Sequence, residues 1–120
     1  MTSTVAVPMP SRGDVWLVDL GATRGHEQAG KRPCVIVSVD GFNRTQLRLV
    51  VVVPMTTVER GFPTHVTVAP PEGGVRVVSY IKCEDFRSAS KDRFIQRLGC
   101  VSPATMRAVE DRIKLILGIR

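Results

Sequence analysis

The sequence predicts a mainly β fold, a small curled barrel of short strands with one helix packed on it at the C-terminal end. Three observations carry this. Short apolar stretches rich in Val and Ile recur between residues 14 and 101, as strands require. Clusters of Gly, Pro and Asn separate them and read as turns. Only after Ser102 do the apolar residues change from strand to helix spacing. Short strands followed by a single helix leave little but a curled sheet covered by that helix.

Residues 1–11 are rich in Thr, Ser and Pro without periodicity and are expected to form a flexible tail ahead of one domain over 12–120. Asp14–Leu20 alternates and reads as a strand covered on one face. Gly21–Arg32 is a polar loop with three glycines. Pro33–Val39 is a buried strand, Asp40–Gln46 a turn, and Leu47–Pro54 a second buried strand closed by its proline. Thr56–Pro63 is a loop and Thr64–Ala69 a strand. Pro70–Gly74 carries a hairpin signal, with Pro-Pro and Gly-Gly in five residues. Val75–Lys82 is expected to be strand, Cys83–Lys91 a polar connection with a short helical turn, and Arg93–Val101 the last strand. Ser102-Pro103 is an N-cap followed by proline at the first helical position. Met106, Val109, Ile113, Ile116 and Leu117 then mark one face of a helix ending near Gly118.

Composition narrows the function. Seventeen Lys and Arg against eleven Asp and Glu give a net charge of +6 and a pI near 9.9, a balance suited to a polyanion such as nucleic acid. No stretch approaches the roughly 20 apolar residues that cross a bilayer. The first residues lack the charged and apolar regions of a signal peptide, so the expected location is the cytoplasm. Cys34, Cys83 and Cys100 are odd in number and never at C-x-x-C spacing, against disulfides and a thiolate zinc site. His26 and His65 have no second ligand at metal spacing. No metal or other cofactor is expected.

With hydrolase elbows, Walker loops and zinc motifs absent, the chemistry points to the loop Thr23–Pro33. It sets Arg24, Lys31 and Arg32, one carboxylate and one imidazole among glycines, between two apolar strands. Glycine lets backbone approach a ligand, and arginine offers a planar fork to phosphate oxygens.

Four ordered strings make a resemblance. Arg12-Gly13-Asp14-Val15-Trp16-Leu17-Val18-Asp19-Leu20 resembles the opening strand of the MazF/PemK family of toxin endoribonucleases. Gly25-His26-Glu27-Gln28-Ala29-Gly30-Lys31-Arg32-Pro33 is similar to that family's G-x-E-Q-x-G-x-R-P motif. Val52-Val53-Pro54-Met55-Thr56-Thr57 resembles its third-strand signature. Ser79-Tyr80-Ile81-Lys82-Cys83-Glu84-Asp85-Phe86-Arg87-Ser88, with Arg97-Leu98-Gly99 before the helix, resembles the remainder. The resemblance implies an SH3-like barrel, a homodimer, cleavage of single-stranded RNA at short sequences, and inhibition by a cognate MazE-like antitoxin. It implies catalytic roles for Arg32 and Thr56.

Physical chemistry agrees with those roles. Metal-free RNA cleavage uses the adjacent 2′-hydroxyl as nucleophile. Arg32 suits the stabilisation of phosphoryl charge and is a poor proton shuttle, with a pKa above ~12. The Thr56 hydroxyl is suited to donating to a phosphate oxygen or orienting the 2′-hydroxyl, or else to bonding local backbone. Glu27 is read as a third catalytic candidate, either a general base or, preferably, a carboxylate holding Arg32 or Arg24. His26, where the family often has serine, either takes part in proton transfer or is an exposed loop residue. RNA contacts are expected from Arg24, His26, Gln28, Lys31, Thr57, Arg60, Phe62, Glu84 and Arg87. Glu84 and Arg87 either pair with one another or line the RNA groove. His65 is read as structural and Trp16 as core or dimer packing. An acidic, disordered antitoxin tail is the natural partner of such a cationic groove. Two alternatives stand beside this reading: a CcdB-like poison of DNA gyrase, and a non-catalytic nucleic-acid-binding module of the same fold.

Overall fold

One strand, β3 (Leu49–Thr56), organises the sheet because it pairs with three other strands. The computed structural model describes residues 9–22, 25 and 27–120. The expected tail therefore lies mostly outside the described residues. On one edge β3 meets β2 (Lys31–Ile36), which in turn pairs with β1 (Asp14–Asp19) and, beyond it, β7 (Phe94–Cys100). On the other edge its first half pairs with β6 (Arg87–Ser90) and its last two residues with β5 (Ser79–Lys82), which carries β4 (His65–Val68). All pairings are antiparallel. A helical turn α1 (Asp40–Asn43) follows β2, and α2 (Pro103–Leu117) ends the fold.

Alternation along β3 serves two cores at once. Val53 and Met55 face Val35, Val66, Val68 and Ile81 beneath Met106 and Val109 of α2. Val50 and Val52 face Cys34, Ile36, Ala89 and Phe94 on the opposite side. The helix begins as its sequence predicts: the Ser102 hydroxyl accepts from the Thr105 backbone N–H at 3.1 Å, and Gly118 closes it in the left-handed conformation. Glu72 adds a second cap, accepting from Ser102 N–H and Thr105 Oγ1 at 3.0 and 2.6 Å.

The sheet is curled but stays open, since β4 and β7 are the ends of the strand order. The gap is filled by backbone. The 3-10 turn Glu72–Gly74, between β4 and β5, sits directly on β7. Gly74 lies at φ +73°, and a Cβ there would fall 2.1 Å from the Leu98 carbonyl oxygen. Gly99 meets Gly73 from the other side, with a Cβ 2.8 Å from the Gly73 carbonyl carbon. Only glycine admits this approach.

Several boundaries differ from the sequence expectations, each for a tertiary reason. Strand β3 runs through Pro54 to Thr56, because Pro54 falls between the β6 and β5 pairings, where its missing N–H breaks no ladder bond. Val75–Val78 is not strand despite three valines. Beyond Ala69 and Val78 the β4–β5 register would require donors from Pro70 and Pro71, which have none. Arg87–Ser90, expected as a polar connection, is strand β6 because the open edge of β3 pairs it. In β1 both faces are covered rather than one, because alternation sends Val15 into one core and Val18 into the other.

Gly74→Ala is expected to lower stability by ~2 kcal/mol or more, from positive φ and the clash with Leu98 together. Urea unfolding checks it; a change under about 0.5 kcal/mol, the range of a neutral surface substitution, would show that the turn does not seat on β7.

Candidate active site

The face that packs the second core at one end of the sheet becomes polar at the other. Strand β2 pairs Cys34 with Pro54 and Ile36 with Val52. That ladder ends at Cys34 and Pro54; two residues beyond it on the same face lie Arg32 on β2 and Thr56 on β3. On the far edge of β3, Thr56 pairs with Tyr80, and Tyr80 pairs with Thr67 while Lys82 pairs with His65. Because side chains alternate, Arg32, Thr56, Tyr80, Lys82 and His65 project to one side of four adjacent strands.

Arg32 is exposed at the start of β2, and its Nε donates to the Ala29 carbonyl at 3.1 Å. Its terminal nitrogens have no hydrogen bond among the described residues. Thr56 is 8% exposed and its Oγ1 accepts from the Val58 backbone N–H at 3.1 Å. This local bond uses the hydroxyl as acceptor and leaves its proton to donate. Thr56 thus makes the backbone bond its residue type suggests and keeps its donor for the site.

The loop ahead of Arg32 is tied down from the other half of the sheet. Gln28 N–H donates to Asp85 Oδ2 at 2.7 Å, and Arg87 Nη2 donates both to the Gln28 carbonyl at 3.0 Å and to Asp85 Oδ2 at 2.7 Å. Lys82 Nζ stands 3.9 Å from the same carboxylate oxygen. Two backbone bonds, Leu20 N–H to Gly30 O and Gly30 N–H to Gly21 O, both 2.9 Å, close the base of the loop. Glu27 and Lys31 are exposed. Arg24 and His26 lie outside the described residues.

Next to this stripe is a cleft of about 290 Å³ lined by Arg60, Phe62, Lys82 and Glu84. Glu84 and Arg87 do not pair with each other. Glu84 accepts from Thr64 Oγ1 at 2.7 Å and contacts His65 Nε2 at 2.9 Å, whereas Arg87 goes to Asp85. His65 packs edge-on against Phe62, with centroids 5.3 Å apart, and its buried Nδ1 has no hydrogen-bond partner. Its structural role is therefore only half satisfied by hydrogen bonding. A second cleft, of about 300 Å³, is bounded by Pro33, Thr57, Arg76, Val77 and Leu98. Trp16 packs against Phe94 at 5.8 Å and donates to Asp14. Arg48 is held by Asp92 at 2.8 Å.

Electrostatics sort the titratable groups. Burial pushes the Cys34 thiol up to about 12, with Arg87 and Asp85 exerting smaller opposing effects. Cys34 shares the face of Arg32, but it stays protonated and is no nucleophile. Partial burial, then the Glu59 carboxylate beside the phenol, raises Tyr80 above its ordinary value. Burial alone would raise Glu84; the hydrogen bonds from His65 and Thr64 outweigh it and hold the carboxyl below its ordinary range. Among the described residues no three His, Cys, Asp or Glu side chains gather as metal ligands do. None of the described helices is long and apolar enough to cross a membrane.

An exposed arginine and a hydroxyl on facing strands, braced by a loop clamp, are the features that a family comparison can identify. The model of the PemK-like, MazF-like toxins of type II toxin–antitoxin systems matches residues 11–117. The chain belongs to this family. It is 39% identical over 108 residues to the endoribonuclease PemK of Escherichia coli, a match spanning 88% of this chain and 80% of that one. It is 34% identical over 116 residues to the endoribonuclease MazF9 of Mycobacterium tuberculosis, spanning 92% and 98%. Its fold superposes with a TM-score of 0.77 on an endoribonuclease from a mycobacterial species solved with its cognate antitoxin, at 32% identity over 92% of this chain and 97% of that one.

For this PemK/MazF-like toxin, sequence reasoning singled out Arg32 and Thr56, which lie on one face of neighbouring strands, Gln28, whose backbone Asp85 and Arg87 hold, and Arg60, Phe62 and Glu84, which line one cleft. It missed Tyr80, Lys82 and Asp85. Strand alternation groups Tyr80 with Lys82, but only the pairing with β3 places Tyr80 beside Thr56. No local signal joins Asp85 to Gln28, 57 residues away.

Because the folded Glu84 carboxyl is more acidic than the unfolded one, near ~4.3, its contribution to stability is present above that value. It is lost as pH falls through the folded pKa. Glu84→Gln is expected to destabilise by less than ~1 kcal/mol at neutral pH, discounted for solvent screening, and by nothing measurable in acid. Urea unfolding of both proteins at about pH 7 and pH 3 tests this; a gap that persists in acid would trace the loss to packing.

Proposed function

We propose that this chain, an endoribonuclease of the PemK/MazF type, cuts single-stranded RNA at short sequences without a metal, through attack of the neighbouring 2′-hydroxyl. The observation that carries the reading is that Arg32 and Thr56 lie on one face of neighbouring strands, two residues beyond the Cys34–Pro54 pair, with the terminal nitrogens of Arg32 making no hydrogen bond among the described residues.

In this mechanism the RNA backbone lies across the ends of β2, β3 and β5. The Arg32 guanidinium grips two nonbridging phosphate oxygens and becomes more strongly bound as charge accumulates on them. Thr56 donates its hydroxyl proton to a phosphate oxygen or orients the 2′-hydroxyl. The 2′-oxygen forms a bond to phosphorus, the bond to the 5′-oxygen breaks, and the products are a 2′,3′-cyclic phosphate and a 5′-hydroxyl. The 2′-proton must leave and the 5′-oxygen must gain one. Glu27 and His26 are the candidates for these transfers on the site loop, and Tyr80, beside Thr56, is a further donor. Gln28, Lys31, Thr57, Arg60 and Phe62 extend the surface available to the flanking nucleotides. The cleft of Arg60 and Phe62 combines a cation with a ring on which a base can stack. Glu84 and Arg87, whose side chains are already held by other residues, shape the groove wall.

The endoribonucleases among the relatives favour this reading over a gyrase poison or a passive binding module. Cleavage of a long unstructured RNA in EDTA tests it. Wild type is expected to cut at defined sites and leave cyclic phosphate ends. Arg32→Ala is expected to lose about 10²–10³-fold in kcat. Arg32→Lys is expected to lose most cleavage, since a point charge does not replace the fork. A 2′-deoxy nucleotide at the cut must block the reaction. Cleavage of that substrate, or a requirement for divalent metal, would refute the mechanism.

The cognate antitoxin is expected to cover the same groove with an acidic segment that orders on binding. A peptide of that segment should displace uncleavable RNA in a fluorescence competition. Simultaneous saturation by both would place the antitoxin elsewhere.

A further inference from the structure

The clamp on Gln28 is built for the loop rather than for an optimal ion pair. Asp85 is 9% exposed, and its Oδ2 takes both the Gln28 N–H and Arg87 Nη2 at 2.7 Å. An arginine pairing with a buried carboxylate for its own sake presents two parallel N–H groups to it. Here one nitrogen, Nη2, is shared between Asp85 and the Gln28 carbonyl, while the buried Nε has no partner. Leaving a buried donor unpaired is unfavourable. What the arrangement secures in return is both backbone groups of Gln28, as a neighbouring strand would.

The next carbonyl along is that of Ala29, the acceptor for Arg32 Nε at 3.1 Å. A continuous path therefore runs from Asp85 and Arg87 through the Gln28 backbone to the Ala29 carbonyl and the Arg32 guanidinium. We propose that Asp85 is a positioning residue for RNA cleavage: through Gln28 and Ala29 it sets the angle at which Arg32 presents its terminal nitrogens to the scissile phosphate. This rests on the reading of Arg32 as the phosphate-binding group. An error of about 1 Å in such a group costs on the order of 10²-fold in rate, so a rigid second support is what an exposed arginine at the start of a strand requires.

The test combines hydrogen exchange with kinetics on the intact protein. In wild type, the Gln28 amide and the Arg32 Nε–H are expected to exchange at least about tenfold slower than exposed amides, in keeping with local opening free energies above zero. In Asp85→Asn both should lose protection together, while the amides of Val52 and Val53 in the centre of β3 keep theirs. Single-turnover cleavage should fall by about 10–10²-fold, with the Kd for uncleavable 2′-deoxy RNA changed less than about threefold, the split of a group acting on the transition state. Asp85→Glu, which keeps the charge but moves it by one methylene, should fall between the two.

Free exchange of the Gln28 amide in wild type overturns the proposal without any variant. So does a loss of cleavage in Asp85→Asn with the Arg32 Nε–H still protected, or protection lost with the rate unchanged. If Asp85→Asn loses protection in β3 as well, Asp85→Glu decides: a wild-type rate with Arg32 Nε–H released overturns the proposal, and an intermediate rate with partial protection supports it. Failure of the underlying reading looks different, since Arg32→Ala would then cleave at the wild-type rate while the Gln28 amide of wild type remained protected.

Discussion

Everything in this molecule depends on the double use of β3. Its paired edges hold the two halves of the sheet together, and its two faces supply the centre of two separate cores. Seven strands of modest length share one strand that alternates between two cores. Within β3 the partner on one edge changes from β6 to β5. Pro54 is tolerated at the changeover because no donor is needed there.

The site is a consequence of where the second core stops. Val50 and Val52 belong to it, and two residues further along the same face comes Pro54, then Thr56. Arg32 ends the equivalent row on β2, and Tyr80 and Lys82 form the row on β5. The polar stripe thus stands on paired strands rather than on a loop. Rigid support is what electrostatic stabilisation of a phosphate requires, since donors already in place need no reorganisation as charge develops. The loop Gly21–Gly30 leads into that stripe, tied at its base by paired backbone bonds and near its end by Asp85 and Arg87.

Charge explains why the groove can be open and the protein still stable. The excess of basic residues is distributed over exposed positions such as Lys31, Arg32 and Arg60, where water screens them until a polyanion replaces it. The carboxylates that are buried or half-buried are each met by donors: Asp85 by Gln28, Arg87 and Lys82, and Glu72 by Ser102 and Thr105. The acidic side chains therefore serve the fold, and the uncommitted basic ones are left for a partner.

The sequence by itself determined the fold class, the helix and its caps, most strands, and the residues Arg32, Thr56 and Gln28 as a candidate site. These depend on local signals: a period of two or of three to four, a serine before a proline, a glycine after a last turn, and motif strings whose order is that of the chain. It misjudged Val75–Val78 and Arg87–Ser90 because strand formation there depends on which edge is free to pair, and composition cannot say that. Only the tertiary structure decided that Tyr80 stands beside Thr56, that Glu84 and Arg87 have different partners, and that Asp85 holds Gln28 from 57 residues away. The reason is the same in each case. A hydrogen bond between distant segments is fixed by register and by the turn of the sheet, and a register is a property of two strands together, which neither strand's sequence contains alone.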